Sequence, residues 1–167
     1  MNEVGGSAVA AQRSISVNGV ERRVAAPDAT PLLAVLRDEF DLRSARFGCG
    51  HEQCGACMVL VDGVPRYSCT LQVGEVGDRA VVTVEGLGTR ERPHPIQTAL
   101  IDGQAGQCGY CLSGIQISAA ALLARDRAPS RREIVEALEP HLCRCGAHNR
   151  IVRAVECAAR AMAGADA

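Results

Sequence analysis

The sequence predicts an α+β protein built from two unlike halves. Two dipeptides, Asn18-Gly19 and Asp62-Gly63, lie between short alternating apolar runs, the pattern of a two-residue hairpin turn. Strand-like runs end at Val84, and from Ile96 onward apolar residues recur at helical spacing. The stretch between, Glu85 to Pro95, collects glycine, proline and charge and reads as a linker. These observations place a loose tail at 1–12, a first domain at 13–85, a linker at 86–94 and a second domain at 95–164.

In the first domain, Ser14 to Val17 and Val20 to Val24 form one hairpin. Thr30-Pro31 starts a helix, with the Thr30 hydroxyl as cap and proline in the first turn. Leu32, Leu33, Leu36 and Phe40 are its buried face. Met58 to Val61 and Val64 to Cys69 make a second hairpin, and Val81 to Val84 a last short strand. In the second domain, Ile96, Ala99 and Leu100 mark one helix, and Leu112, Ile115, Ala119, Leu122 and Leu123 a longer one. Ser130-Arg131-Arg132-Glu133 is a capping box. It opens a third helix with Ile134, Val135 and Leu138 inward, ended by Pro140. Ile151, Val152, Val155, Ala159 and Met162 mark a fourth, and four such helices pack as a small bundle.

With 167 residues, 47% of them hydrophobic, the chain can build a core, but each half is small. A metal staple in each half would add stability. A net charge of −1 gives no pull toward nucleic acid or anionic membranes. Aromatic residues are 2% of the chain, without Trp, which argues against a base-stacking platform. No apolar run approaches the roughly 18 residues of a membrane span, and no secretory leader precedes the first hairpin. Arg22-Arg23 lies within a strand and has no apolar segment after it, unlike a transport signal. Without an export signal, eight of the nine cysteines read as ligands rather than as disulfides, in a reducing, cytoplasmic compartment, with membrane association through a partner as the alternative.

The cysteines fall into two groups of four. Cys49, Cys54 and Cys57 have C-x4-C-x2-C spacing, and Cys69 follows. This is the plant-type spacing of a [2Fe–2S] cluster, whose soft iron and sulfide favour thiolate donors. Gly48, Gly50 and Gly55 supply the backbone freedom for a loop that wraps such a cluster. Structural zinc sites favour paired knuckles or added histidines, so zinc and disulfides rank below iron–sulfur here. Cys108 and Cys111 then open the second domain's long helix, and Cys143 and Cys145 precede its last helix. Helix N-termini carry free N–H groups and partial positive charge, which suit an anionic cluster. On spacing alone, a four-cysteine zinc site remains nearly as compatible with this second group. Cys157, within the last helix, reads as a small buried hydrophobe, with a reactive thiol as the alternative.

The first domain's order resembles the β-grasp of plant-type ferredoxins. The chain as a whole resembles the small iron–sulfur subunit of the molybdenum hydroxylases, the xanthine dehydrogenase and aldehyde oxidoreductase family. The matching stretches are Phe47-Gly48-Cys49-Gly50, Gln53-Cys54-Gly55-Ala56-Cys57, Val61-Asp62-Gly63, Ser68-Cys69, Thr83-Val84-Glu85-Gly86-Leu87, His94-Pro95-Ile96-Gln97, Gln107-Cys108-Gly109-Tyr110-Cys111 and Leu142-Cys143-Arg144-Cys145. The resemblance spans residues 14 to about 160. It implies one [2Fe–2S] cluster in a ferredoxin-like domain and another in a four-helix domain. It also implies a large partner subunit holding a molybdopterin-type cofactor, where an N-heteroaromatic or aldehyde substrate is hydroxylated with oxygen from water. Electrons would pass singly through the helical-domain cluster, then the ferredoxin-like one, to an external acceptor.

By the same resemblance, Gln107 is the candidate pterin contact and Cys145 lies close to the pterin. For Gln107 a helix-start hydrogen bond is the alternative. Arg144 either offsets cluster charge or is a solvated interface residue. Many family members continue Cys-Arg-Cys with Thr-Gly-Tyr, whereas here Cys145 is followed by Gly146-Ala147-His148. That ending is similar to the nicotinate and isoquinoline branch, and it favours a cytochrome c-type acceptor over an FAD subunit. His148 and His51 stand outside quartets already complete with cysteine, so they are expected near the ligands or at the surface. Two other functions compete: a freestanding two-cluster ferredoxin, which has no need of the helical half, and a zinc-stapled interaction module. The chain shows no dinucleotide-binding glycine motif and no nucleophile–base set, so no catalytic residue is assigned to it.

Overall fold

The first hairpin pairs β1 (Arg13–Val17) with β2 (Val20–Val24) in antiparallel register, Val17 opposite Val20. Its turn residues, Asn18 and Gly19, have φ of 54° and 75°, the left-handed pair that a right-twisted hairpin demands. The second hairpin repeats this logic with β3 (Met58–Val61), β4 (Val64–Tyr67) and the Asp62-Gly63 turn. The fifth strand, β5 (Val81–Val82), runs parallel to β1 and antiparallel to β3, so the sheet order is β2-β1-β5-β3-β4. This computed structural model describes residues 13–164; the tail expected at 1–12 lies outside the described residues.

One face of the sheet carries Ile15, Val17, Val59, Val61 and Val81 onto α1 (Leu32–Ala34) and a π-helical turn, Val35–Glu39, that continues it. Leu32, Leu33, Val35 and Leu36 complete that core. Phe40 is only half-buried, with the Arg22 guanidinium 5.3 Å from its ring centre. The expected Thr30 cap is absent, because Pro31 occupies the cap position and no side chain bonds there. Tertiary neighbours do the capping: Leu32 N–H donates to the Leu71 carbonyl (2.7 Å) and Leu33 N–H to that of Ser68 (2.8 Å). The return strand also stops earlier than expected, at Tyr67. Ser68 leaves the ladder to bond the Cys57 carbonyl through its hydroxyl (2.6 Å), which brings Cys69 alongside Cys57. Two short helices, α2 (Val73–Val76) and α3 (Val84–Leu87), are too brief to leave a period in sequence. The expected last strand ends at Val82, since Thr83 is the N-cap of α3.

The helical half contains α4 (Pro95–Asp102), α5 (Leu112–Arg125), α6 (Arg131–Leu138) and α7 (His148–Gly164). The Ser130 capping box forms as expected, its hydroxyl accepting from Glu133 N–H. Ile134 and Leu138 enter the core with Ile96, Leu100, Ile115, Leu123, Ile151 and Val155. Val135, expected inward, is exposed, since the helix meets its neighbours along the Ile134/Leu138 stripe only. Helix α5 is apolar almost all round because it is covered on two sides. Its far side joins the bundle, and Ile117 packs on Met58 and Leu60. Alternation along β3 therefore serves both halves: Val59 and Val61 face α1, while Met58 and Leu60 face α5.

Gly114 on α5 touches the loop before β3 directly: a Cβ there would stand 1.9 Å from the Gly55 carbonyl oxygen. Gly114→Ala is therefore expected to destabilise the protein by about 1–3 kcal/mol, the usual cost of overpacking. A thermal midpoint equal to wild type would contradict that contact. His94 accepts from Ile96 N–H (3.2 Å) at the start of α4, and burial, with the charge of Arg127, lowers its pKa from the ordinary 6.5. The unfolded chain thus takes up the proton more readily. Stability should hold above pH 6.5 and fall as pH drops toward the lowered value. Thermal midpoints of wild type and His94→Asn across that window check the sign, the wild type losing more on acidification.

Candidate metal centres

The first thiol loop is built by close backbone approach. A Cβ on Gly48 would lie 2.5 Å from the Cys54 sulfur, and Gly55 holds φ at 71°, so neither position takes a side chain without strain. The loop turns its N–H groups onto sulfur. His51 (3.5 Å) and Gln53 (3.2 Å) donate to Cys49 Sγ, and Cys49 N–H donates to Cys54 Sγ (3.4 Å). His51 contributes through its amide, with an exposed side chain. Cys57 and Cys69 lie deeper, in the sheet–helix core.

The second site joins the start of α5 to the loop before α7. Cys111 is the N-cap residue of α5 and is buried, while Cys108 is exposed. Cys143 accepts from Ala147 N–H (3.4 Å). The Gln107 amide donates to the Cys145 carbonyl (3.4 Å), tying the two cysteine segments together from an exposed position. Arg144 is exposed. His148 is exposed too, and its Nε2 lies 3.2 Å from the His141 carbonyl oxygen, away from the thiols.

Within each quartet the thiols act on one another's ionisation: Cys54 lowers Cys49 and Cys69 raises Cys57, while Cys145 lowers Cys108 and both Cys143 and Cys108 raise Cys111. Among the described residues, no three His, Cys, Asp or Glu side chains converge on a place for one metal ion. A tetrahedral zinc centre needs its donors around a single ion. A [2Fe–2S] cluster takes four thiolates, the number that each quartet supplies. The environments are graded. The N–H groups of His51 and Gln53 draw the Cys49 thiol down to about 6. Burial pushes Cys57 and Cys111 up to about 12. Cys108 is lowered by the Tyr110 N–H and the Cys145 thiol.

The two loops also touch each other. Leu142 N–H donates to the Cys54 carbonyl (3.1 Å), the Tyr110 hydroxyl donates to the Phe47 carbonyl, and Arg46 reaches the Gly109 carbonyl (3.4 Å). The Arg46 guanidinium also stacks 5.1 Å from the Tyr110 ring centre. A cavity of about 390 Å³ lies between the loops, lined in part by Cys49, Cys54, Cys108 and Leu142. Sequence reasoning did not single out His141, which lies at this junction; its only signal was a histidine just before Leu142-Cys143. Cys157, expected buried, is exposed on α7 in a groove of about 820 Å³ against α4, its sulfur 3.0 Å from Arg160.

A β-grasp domain and a helical domain, each presenting four free thiols near the loops that join them, define a two-cluster [2Fe–2S] protein. Family models agree: residues 15–80 match a 2Fe-2S iron-sulfur cluster binding domain and residues 83–156 a [2Fe-2S] binding domain. A nicotinate dehydrogenase subunit from Pseudomonas putida is 47% identical, covering 87% of this chain and 93% of its own length. The alpha subunit of isoquinoline 1-oxidoreductase from Brevundimonas diminuta is 43% identical over 86% of this chain and 95% of its own. The crystal structure of quinoline 2-oxidoreductase from Pseudomonas putida 86 superposes with a TM-score of 0.87 at 31% identity, covering 92% of this chain and 96% of the matched one. The chain belongs to the small iron–sulfur subunits of the molybdenum hydroxylase family. Among the described residues no helix is long and apolar enough to cross a membrane.

In the cluster-free protein near pH 7, Cys49 should react with a thiol alkylating reagent before Cys57, because only the former is mostly thiolate. Peptide mapping after brief alkylation reads the order. Equal labelling would contradict the grading.

Proposed function

We propose that this chain is the electron relay of a multi-subunit molybdenum hydroxylase, holding one [2Fe–2S] cluster at Cys49, Cys54, Cys57 and Cys69 and another at Cys108, Cys111, Cys143 and Cys145. The observation that carries this reading is that the loops bearing the two quartets are hydrogen-bonded to each other and turn backbone N–H groups onto Cys49, Cys54 and Cys143. The clusters supply one-electron chemistry when bound. The chain's own part is to fix their positions, to bury Cys57 and Cys111 away from water, and to aim N–H groups at Cys49, Cys54 and Cys143. Such N–H donors raise a cluster's potential by stabilising added negative charge.

The partner is a large subunit carrying the molybdopterin cofactor and the substrate site. The helical domain faces it, with the ferredoxin-like domain on the side of the acceptor. Gln107 is exposed and bonds through its amide to the carbonyl of half-buried Cys145, an arrangement that supports a pterin contact beside this segment. The Cys145-Gly146-Ala147-His148 ending favours a cytochrome c-type acceptor over a flavin subunit, and the similarity to nicotinate dehydrogenase and isoquinoline 1-oxidoreductase subunits supports an N-heteroaromatic substrate at the partner. The domain limits remain those of the sequence, 13–85 and 95–164, and a reducing cytoplasm suits nine unpaired thiols.

Anaerobic purification with the native partners should yield about four irons and about four sulfides per chain, as two binuclear clusters require. Dithionite reduction should give two distinct [2Fe–2S] EPR signals. Cys57→Ser should lose or alter one signal and Cys111→Ser the other. Zinc in place of iron, or a single signal abolished by both variants, would overturn the assignment. Reduction of added cytochrome c by substrate, without an FAD subunit present, tests the acceptor.

A further inference from the structure

His141 meets both thiol loops and the helix between them, yet it ligates nothing in the assignment above. Its ring is buried, 3% exposed. Nε2 lies 2.7 Å from the Ser118 hydroxyl on α5. The other ring edge faces the first loop. A Cβ on Gly55 would stand 2.2 Å from Nδ1 and 2.8 Å from Cε1, and among the described residues Nδ1 has no partner in full hydrogen-bond geometry, the Gly55 backbone being its neighbour. Cε1 also borders Gly114, the α5 residue that touches the Gly55 carbonyl. The backbone of His141 is tied at both ends. Its N–H donates to the Leu138 carbonyl (3.0 Å), and its carbonyl lies against His148 Nε2 (3.2 Å). The next residue, Leu142, donates to the Cys54 carbonyl, and the one after is Cys143.

These contacts leave the ring no alternative place. On one side is the peptide between Cys54 and Cys57, and on the other the middle of α5. A flat, two-nitrogen ring fills this slot and still satisfies a buried serine. An alanine would leave a gap directly between the loops and an unpaired Ser118.

We infer that His141 is a positioning residue: wedged between Gly55 and Ser118, it fixes the separation and orientation of the two cluster sites. This rests on the two-cluster reading. The Leu142–Cys54 hydrogen bond holds the loops together only while the ring holds them apart. Loss of the ring frees the first loop to shift relative to Cys143, without removing a ligand from either cluster.

The test is pulsed EPR on the dithionite-reduced native complex, reading the dipolar coupling between the two reduced clusters. Wild type should give two [2Fe–2S] signals with one well-defined coupling. His141→Ala should keep both signals but shift or broaden that coupling, and His141→Gln, which keeps a donor for Ser118, should restore it. Should His141→Ala not load both clusters, Ser118→Ala is read instead: a broadened coupling supports the role and a wild-type coupling overturns it. An unchanged coupling in His141→Ala, or a wild type with two signals and no defined coupling, also overturns it. A wild type lacking two [2Fe–2S] signals would instead overturn the two-cluster reading, so the two failures are distinguishable.

Discussion

The molecule depends on a contact that contains no side chain: the backbone of α5 at Gly114 lies against the Gly55 carbonyl, in the middle of the first thiol loop. Because nothing larger than hydrogen fits there, a long apolar helix can lie flat on the second face of the sheet. Met58 and Leu60 then bury against Ile117, and the loops carrying the two quartets come within hydrogen-bonding reach. Interiors this tightly packed transmit displacement rather than absorb it. Two halves that are each small for an independent core thereby share one interface, and it lies at the thiols.

Each quartet contains a thiol held deep and one held shallow. Cys57 and Cys111 sit where burial opposes a free charge, while Cys49 and Cys108 sit among backbone N–H groups that welcome it. Iron binds thiolate, so loading a site releases the protons that its thiols still hold, those of Cys57 and Cys111 among them. The shallow members give up their protons more readily to an incoming metal, and the deep members lie away from water.

Much of this was legible in the sequence because the signals are local. The Asn-Gly and Asp-Gly turns and the Ser130 capping box are each set within a few residues, and each formed as read. The C-x4-C-x2-C spacing is a signal of the same short range. The failures share a cause, since each depended on a distant partner. Thr30 was not needed as a cap because the carbonyls of Ser68 and Leu71 were already there. Val135 and Cys157 lie on helical faces that sequence periodicity counts as apolar, but no element covers them. His141 was passed over because its neighbours, Gly55 and Ser118, are remote in the chain. Zinc stayed open for the second quartet on spacing alone, and the match of residues 83–156 to a [2Fe-2S] binding domain favours iron.

The strand order has a consequence for how the chain is made. Strand β5 lies at the centre of the sheet, between β1 and β3, although it is the last of the five in sequence. As the polypeptide emerges during synthesis, the two hairpins appear first, each with an unpaired inner edge and no bond between them. Unpaired edges are where chains associate wrongly. Only when Val81 and Val82 arrive does one strand close both edges at once, and the helix that roofs the sheet follows later still. For that interval the nascent chain carries the thiols of its first loop on an open, unfinished sheet. The period of greatest exposure to misassembly is therefore written into the order of its strands.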